Sequence, residues 1–222
     1  MPLSRRVGRA LSGKLTRITL DRFIAAHASP HRTLDIGAQN GPYAASFPNR
    51  IGVDITRGRG VRIIADAQVL GVASETFDVI LCTEVLEHLP EPQRAIDEMF
   101  RVLKPGGTLL LTTRFLFPLH DAPHDYFRFT KYGLQYLLRR FDILELKEET
   151  TSLGTIAVLL QRLGMQAETL RTAPLRAVWL VAAQMVRPFS FLITREFGDS
   201  RRLNPTTGIM TSGYHVACRK PV

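Results

Sequence analysis

Short apolar runs alternate with segments of helical periodicity over the greater part of this chain. Five strand-like runs come first, at residues 33–37, 50–55, 61–66, 77–83 and 107–113. They are apolar on both faces, which is typical of parallel strands that helices cover on both sides of a sheet. Two further strands are indicated at 142–149 and 213–220. This order of elements predicts an α/β protein with a doubly wound sheet.

Helices are predicted where apolar residues recur every three or four positions. These segments are residues 15–28, 92–103 and 130–141. The first ends before Pro30, and the second is closed by Lys104-Pro105-Gly106-Gly107, because proline and glycine stop helices. A further helix is expected to begin near Pro42 and to be short, because Pro48 follows it.

Residues 152–205 separate the last two predicted strands, a length too great for a simple connection. Their apolar residues follow helical spacing and are interrupted at Pro174 and Pro188, with arginines between the apolar faces. We therefore expect a helical insertion between the sixth and the seventh strand. A basic amphipathic helix can cover a substrate, form a dimer seam or lie on a membrane surface, and the sequence leaves these three roles open.

The bulk composition is that of an ordinary globular protein. Of the 222 residues, 45% are apolar and 22% are charged, which fits a single domain over residues 1–222. Cys82 and Cys218 form no CxxC pair, so neither a disulfide framework nor a zinc site is indicated, and a cytoplasmic setting is expected. No run is typical of a secretory signal or of a membrane-spanning helix.

The formal net charge of +9 is concentrated in two segments. One is a basic N-terminal helical segment, residues 1–29, and the other is the arginine-rich stretch 162–202. Basic patches favour polyanions or anionic membrane surfaces, although a solvated surface explains them equally well. The charge therefore keeps open a peripheral contact with the inner face of a membrane.

The turn after the first predicted strand lies where this fold class binds nucleotides. Its sequence, TLDIGAQNGPYAASF at 33–47, does not match G-x-G-x-x-G, because Gln39 and Pro42 replace two glycines. No P-loop follows either, so a diphosphate is not expected. Asp54, seventeen residues after Gly37, ends the next strand and can accept both hydroxyls of a ribose. An adenosine with an amino-acid tail and no phosphates would suit this pattern.

Four motifs occur in one order over residues 30–150. They are LDIGAQNG, GVDIT, IIADAQVL and FDVILCTEVLEHLPEPQRAIDEMFRVLKPGGTLLLTT. Together they resemble the class I S-adenosylmethionine-dependent methyltransferases. The resemblance implies a Rossmann-like sheet of seven strands with the last strand antiparallel. It also implies an enzyme that transfers a methyl group, with S-adenosylmethionine as the cofactor.

The resemblance also implies which residues contact the cofactor. Ten are expected to do so: Asp35, Gly37, Ala38, Gly41, Asp54, Ile55, Asp66, Ala67, Thr83 and Glu84. Asp54 would hold the ribose hydroxyls, while Asp66 and the backbone of Ala67 would meet the adenine. Near the methionine part and the sulfonium, the resemblance places Asp35, Gly37, Thr83 and Glu84. Gln39 departs from the family pattern, in which a glycine is usual at this position.

The acceptor is expected beyond the fourth and fifth strands, at residues 114–133. Methyl transfer to a hydroxyl needs a group that removes a proton, and histidine is the commonest general base. We predict His124 as the base, then His120, with Asp125 to orient the ring. In the alternative interpretation, Asp125 caps a turn while the neighbouring aromatic residues Tyr126, Phe127 and Phe129 pack a lid.

The sequence Glu84-x-x-Glu87-His88 offers ligands for a divalent metal, to which a later histidine could add. Some methyltransferases that act on RNA 3′ ends or on catechols look similar here and bind such an ion. The same sequence is also widespread in metal-free members of the family. We therefore predict no metal.

PHDYFRFT at 123–130, followed by a helix and a long apolar insertion, resembles a bacterial subgroup associated with polysaccharide and cell-surface glycan synthesis. This implies O-methylation of a hydroxyl on a glycan or small molecule, including a lipid-linked sugar. The insertion leaves open, as separate expectations, a peripheral membrane contact and a homodimer. One alternative is an RNA methyltransferase, which the net positive charge favours. The sequence has neither an RNA-binding module nor an Asn/Asp-Pro-Pro-Tyr stretch, so a nucleic-acid substrate is disfavoured. The other is a scaffold subunit that binds the cofactor without catalysis.

Overall fold

The computed structural model describes residues 14–169, 173–193, 197–199, 204–205 and 208–222. The basic residues Arg5, Arg6 and Arg9 of the predicted N-terminal segment lie outside the described residues. The chain divides into two compact units. The sheet unit comprises residues 22–115, 119–147 and 214–222, and the helical unit comprises the described residues within 1–21, 116–118 and 148–213.

The elements follow the order that the hydrophobic pattern predicts. Along the chain they are α1 (Leu15–Ala26), β1 (Thr33–Ile36), β2 (Arg50–Asp54), β3 (Ile63–Ile64), β4 (Phe77–Thr83), a 3₁₀ turn (Leu86–His88), α2 (Pro92–Val102), β5 (Leu103–Arg114), α3 (Lys131–Leu137), β6 (Asp142–Glu148), α4 (Ser152–Thr169), α5 (Ala173–Val186), a second 3₁₀ segment (Arg187–Leu192), β7 (Phe197–Asp199), β8 (Asn204–Pro205) and β9 (Gly213–Arg219). Helices α1 and α2 and all seven strands of the main sheet confirm the sequence predictions to within a few residues.

The main sheet has the strand order β3-β2-β1-β4-β5-β9-β6. The pairs from β3 to β5 are parallel, with Ile36 of β1 opposite both Val53 of β2 and Cys82 of β4. Strand β9 runs antiparallel, and at its end Lys220 exchanges backbone hydrogen bonds with Gly106 and Gly107. The predicted Rossmann-like sheet with an antiparallel last strand is therefore confirmed.

Apolar strands and the inner face of α2 form the core of the sheet unit. Helix α2 buries Ala95, Ile96, Met99 and Val102, which recur at helical spacing, against strands such as β4. Each large side chain buried in this way stabilises the fold by roughly 1.5–3 kcal/mol. The rigid strand ends that result are the platform on which the candidate site is built.

One sequence prediction at the first turn is wrong, and one predicted strand is shorter than expected. Residues 42–46 form turns, not the expected helix, because the few residues before β2 bury Tyr43 and Phe47 in the turn itself. The strand expected at 61–66 shrinks to Ile63–Ile64. The predicted end of this strand forms a turn instead, in which Asp66 accepts a hydrogen bond from the backbone N–H of Gln68.

The helical unit confirms the predicted helical insertion and adds a feature that the sequence did not indicate. Helix α5 ends at Val186, just before the predicted break at Pro188, and the chain continues as a 3₁₀ segment. Strands β7 and β8 form an antiparallel pair within the region 152–205, which was expected to be helical only. No helix among the described residues is both long and apolar enough to cross a membrane.

Candidate active site

The parallel register collects the predicted cofactor-binding residues at one edge of the sheet. Since Ile36 pairs with Val53 and with Cys82, the residues that follow them, Gly37, Asp54 and Thr83, leave the sheet side by side. This edge is formed by the carboxyl ends of the strands, where open α/β sheets bind ligands. All ten predicted cofactor residues belong to the sheet unit.

The turn after β1 is held by backbone contacts with β2. Gly37 and Ala38 both donate their N–H groups to the carbonyl oxygen of Val53, and Gln39 donates its N–H to Asp54 Oδ2. Gly37 has φ +77°, and a Cβ there would lie 2.3 Å from Val85 Cγ2, so only glycine fits. Gln39, at the position where the family has glycine, takes φ +34°.

Asp35 is paired with Arg50, a residue that the sequence analysis did not single out. Arg50 Nη1 donates to Asp35 Oδ2 at 2.7 Å, and Arg50 Nη2 donates to the carbonyl oxygen of Gly41 at 3.3 Å. Burial raises the pKa of Asp35 to about 6, although Arg50 acts in the opposite direction. Asp35 thus fixes the turn through Arg50. The signal in the sequence is a single arginine that opens an otherwise apolar strand.

Asp54 has the chemistry that a ribose requires. Its Oδ2 accepts from the N–H of Gln39, while its Oδ1 accepts from the N–H and the hydroxyl of Thr56. A carboxylate offers about four acceptor sites, so one remains, and a second opens if the Thr56 hydroxyl gives way. Ile55, the next residue, is 70% exposed and can pack on a flat ring.

Asp66 lies in the turn after β3, and its carboxylate, like that of Asp54, has only part of its acceptor sites filled. The side-chain amide of Gln68 donates to both carboxylate oxygens, and the N–H of Gln68 donates to Oδ1. One acceptor site on Oδ2 remains by the same count, which matches the single N–H that an adenine amino group would present. Ala67 beside it is buried. The residues at both strand ends therefore fit an adenosine.

Glu84, which follows Thr83 at the end of β4, has its carboxylate directed to β5. Its Oε1 accepts from the Thr112 hydroxyl at 2.9 Å, and the carboxylate forms an ion pair with Arg114. The backbone of Glu84 has φ +57°, an uncommon value for a residue other than glycine. The ion pair and this backbone conformation hold the chain at the end of β4, where the methionine part of the cofactor is expected.

The loop between β5 and α3 is tied to the 3₁₀ turn that follows β4. The N–H groups of Tyr126 and Phe127 donate to the carbonyl oxygen of Glu87. The ring of His88 adds a contact, because its Nδ1 lies 2.6 Å from the carbonyl oxygen of His124. These bonds bring the predicted acceptor loop to the turn that follows Thr83 and Glu84.

The structure brings His120, and not His124, together with Asp125. His120 Nδ1 lies 3.4 Å from Asp125 Oδ2, and the N–H of His120 donates to the same oxygen at 2.9 Å. Arg128 donates to both carboxylate oxygens of Asp125 at 2.6 Å and thereby lowers the pKa of Asp125 to about 2. His124 Nδ1 instead lies 3.1 Å from the hydroxyl of Tyr126. Within this loop Phe129 is buried, whereas Tyr126 and Phe127 are exposed.

Glu87, which the sequence motif offered as a metal ligand, is a buried carboxylate. It is completely buried, its Oε2 accepts from the Thr113 hydroxyl at 2.8 Å, and burial raises its pKa. The groups that approach one another closely here are Glu87, His88 and His120. Glu84, which the sequence motif would have included, is directed to Arg114 instead.

A family described as a methyltransferase domain matches residues 7–168 of the chain. An uncharacterized methyltransferase from Mycobacterium leprae is 29% identical over 130 residues, which are 50% of this chain and 48% of the relative. A ubiquinone biosynthesis O-methyltransferase from Psychrobacter cryohalolentis is 39% identical over 66 residues, which are 30% of this chain and 23% of the relative. The chain therefore spans about half the length, or less, of these curated relatives.

The fold is also that of a solved structure. The 1,6-didemethyltoxoflavin-N1-methyltransferase of Burkholderia thailandensis, solved with 1,6-didemethyltoxoflavin and S-adenosylhomocysteine, gives a TM-score of 0.55 at 16% identity. The similarity covers 98% of this chain and 84% of that chain. The comparison supports the sheet architecture.

Proposed function

The chain belongs to the methyltransferase domain family, and we propose that it transfers a methyl group from S-adenosylmethionine to a hydroxyl of a sugar or another small molecule. When bound, the cofactor supplies an activated methyl group on a sulfonium. The protein's own residues bind the cofactor, align the acceptor and remove the hydroxyl proton.

The observation that carries this proposal is the set of partly occupied carboxylates at the strand ends. Asp54 and Asp66 both keep acceptor sites, and the exposed Ile55 lies beside Asp54. Hydroxyls of a ribose and an adenine amino group are donors of the kind that these carboxylates can accept. The turn that begins at Gly37 is held to Val53 by two backbone hydrogen bonds, which fix the backbone that would contact the amino-acid tail.

Calorimetry with S-adenosylmethionine and S-adenosylhomocysteine tests the cofactor assignment. Asp54→Ala removes hydrogen bonds to a charged group, so the affinity is expected to fall at least about tenfold. Thr56→Val is the matched control, because it removes only the hydroxyl that shares Asp54 Oδ1, and it should leave the affinity within about twofold. Absence of binding to the unaltered chain, or equal binding by Asp54→Ala, would contradict the assignment.

The acceptor loop supports O-methylation because it carries two histidines at the carboxyl edge of the sheet. We assign the base to His124, whose ring contacts the Tyr126 hydroxyl and no carboxylate among the described residues. Methyl transfer to a hydroxyl benefits from a general base by about 100-fold or more. The relative from Psychrobacter cryohalolentis is named an O-methyltransferase, which is consistent with this chemistry.

A steady-state assay over a panel of sugar and phenolic acceptors tests the base. His124→Asn is expected to lower kcat by about 100-fold while the affinity for S-adenosylmethionine stays unchanged. His31→Asn, on an exposed loop of the same unit, is the control and should retain full activity. An unchanged kcat in His124→Asn would remove this residue from the mechanism.

An exposed apolar face on the helical unit supports a lipid-linked acceptor at an anionic membrane surface. The face is formed by Val178, Val181, Met185, Phe189, Phe191, Leu192 and Ile193, all exposed. Residues 177–193 contain no acidic side chain and one cation, Arg187. Such a combination of exposed apolar residues and positive charge binds the interface of an anionic bilayer.

Co-sedimentation with lipid vesicles, with and without anionic lipid, tests this contact. The double variant Phe191→Asp/Leu192→Asp should bind at least about tenfold more weakly to anionic vesicles. Tyr136→Asp alters an equally exposed apolar side chain of the sheet unit and should bind as the unaltered chain does. Failure to bind vesicles, together with a dimer mass in solution that the double variant abolishes, would instead assign the face to a second copy.

A further inference from the structure

Three potential ligands meet beside the end of β4. Glu87 and His88 belong to the 3₁₀ turn that follows β4, and His120 comes from the loop between β5 and α3. Each of the three offers one ligand atom, and these atoms lie within 4.8 Å of one another. The rings of His88 and His120 meet edge to face, with centroids 4.7 Å apart.

Glu87 has an unsatisfied oxygen at this point. The side chain is completely buried, and only Oε2 has a hydrogen-bond partner among the described residues, the Thr113 hydroxyl. Oε1 is buried without one. A buried carboxylate oxygen that lacks a partner is unfavourable, and natural proteins seldom retain one without a ligand or an ion.

The contacts around the two histidines are those of metal-binding imidazoles. His88 Nδ1 faces the carbonyl oxygen of His124 at 2.6 Å, and because a carbonyl only accepts, Nδ1 carries the proton and Nε2 the lone pair. His120 Nδ1 faces the carboxylate of Asp125. A carbonyl or carboxylate behind one ring nitrogen orients the other nitrogen toward a metal and raises its basicity.

We propose that Glu87, His88 and His120 bind a divalent first-row transition-metal ion. Two imidazoles and one carboxylate are the donors that Zn²⁺, Co²⁺ and Mn²⁺ accept, whereas Ca²⁺ and Mg²⁺ prefer oxygen ligands alone. Asp121 lies beside this set, with its Oδ2 3.9 Å from His88 Nε2 and its side chain exposed. This proposal departs from our sequence prediction of no metal, and its ligands differ from the Glu84-Glu87-His88 motif.

A metal ion held by these three ligands would lie beside the predicted acceptor loop. The acceptor loop and the turn after β4 meet at the three ligands, and with only three protein ligands a bound ion could take an acceptor oxygen as a further ligand. Coordination polarises such an oxygen and eases loss of its proton. This consequence rests on the proposed methyl transfer, whereas the metal site itself does not. His120 is then a ligand, which leaves His124 as the base.

Metal binding is measured on the full chain after treatment with a chelator, without cofactor or acceptor. Zn²⁺ is titrated by calorimetry, and Co²⁺ by its visible absorption, which reports nitrogen and oxygen ligands directly. We expect one equivalent to bind. His120→Asn and His88→Asn should each weaken binding at least about tenfold, and His31→Asn should leave it unchanged.

Glu87→Gln tests the buried oxygen, and circular dichroism shows whether that variant is folded. Should it fail to fold, the two histidine variants decide the question by themselves, because both rings are partly exposed. Equal affinity in the unaltered chain and in both histidine variants would mean adventitious binding and would overturn the site. Absence of binding would do the same. Because no methyl transfer is measured, neither result bears on the proposed enzyme activity.

Discussion

Asp35 provides a sharp test of how burial and ion pairing compete at this strand end. Its pKa is raised from 3.8 to about 6, with burial as the largest cause and Arg50 acting against it. The native chain therefore holds a proton on Asp35 up to about pH 6, while the unfolded chain releases it near pH 4. Native protein binds more protons in this window, so its stability falls as the pH rises through it.

Asp35→Asn removes this titration and should reverse its consequence. From about pH 4.5 to about pH 7.5, the unaltered Asp35 loses about 2 kcal/mol of stabilisation for a pKa shift of this size. The free energy of unfolding of Asp35→Asn, minus that of the unaltered chain, should therefore increase by about 2 kcal/mol over the same range. Urea unfolding followed by circular dichroism at several pH values measures the difference, provided that the m-value is unchanged.

Asp78→Asn is the matched control with the opposite sign. Lys104 donates to Asp78 at 2.7 Å and lowers the pKa of this carboxyl. Its stabilisation is present above the ordinary pKa and is lost as the pH falls, so Asp78→Asn should lose stability relative to the unaltered chain as the pH rises. A difference for Asp35→Asn that is flat or declines with pH would mean that the Arg50 pair outweighs burial, and would refute the argument.

Two further outcomes are expected. Gly37→Ala should lower the free energy of unfolding by about 1–3 kcal/mol and weaken the binding of S-adenosylmethionine, because the new Cβ meets Val85 Cγ2 at φ +77°. Gly71→Ala, at φ +62° with no atom within 4 Å of the new Cβ, is the control in thermal unfolding. An equal effect of both substitutions would contradict the role of the clash. The buried thiols of Cys82 and Cys218, whose pKa values burial raises, should react with a disulfide reagent only after unfolding, and rapid labelling of native protein would contradict this.

The sheet was predictable because its information is local. Strand β4 (Phe77–Thr83) and helix α2 (Pro92–Val102) coincide with their predicted ranges because an unbroken apolar run and a helical period are both complete within the segment. The helix near Pro42 failed for a contrasting reason. Its apolar residues, Tyr43 and Phe47, are buried within a turn whose course depends on contacts with other segments.

The positions of the site residues were predictable, but their partners were not. Motif order placed Asp54 and Asp66 at the right strand ends because parallel strands end at a common edge. Arg50 and Arg114, which neutralise Asp35 and Glu84, are separated from them by 15 and 30 residues and carry no motif. A long-range ion pair follows from strand register, which one sequence does not show.

Arginine pairing separates the acidic residues of this site into two groups with different capacities for ligands. Those held by arginine are Asp35, Glu84 and Asp125, whose partners are Arg50, Arg114 and Arg128. Those held by neutral donors are Asp54, Asp66 and Glu87, whose partners are backbone N–H groups, Gln68 and side-chain hydroxyls.

A ligand can displace a neutral donor more readily than a guanidinium, because an arginine adds the attraction of its positive charge to the hydrogen bonds that it donates to a carboxylate. The Thr56 hydroxyl can leave Asp54 for a ribose, but Arg50 stays on Asp35. The family motif assigns both Asp35 and Asp54 to the cofactor with equal weight. The arginine pairing predicts that the two residues contribute unequally to cofactor binding. In calorimetry, the Asp35→Asn variant should bind S-adenosylmethionine more tightly than the Asp54→Ala variant does. The reverse order would show that Asp35 contacts the cofactor itself.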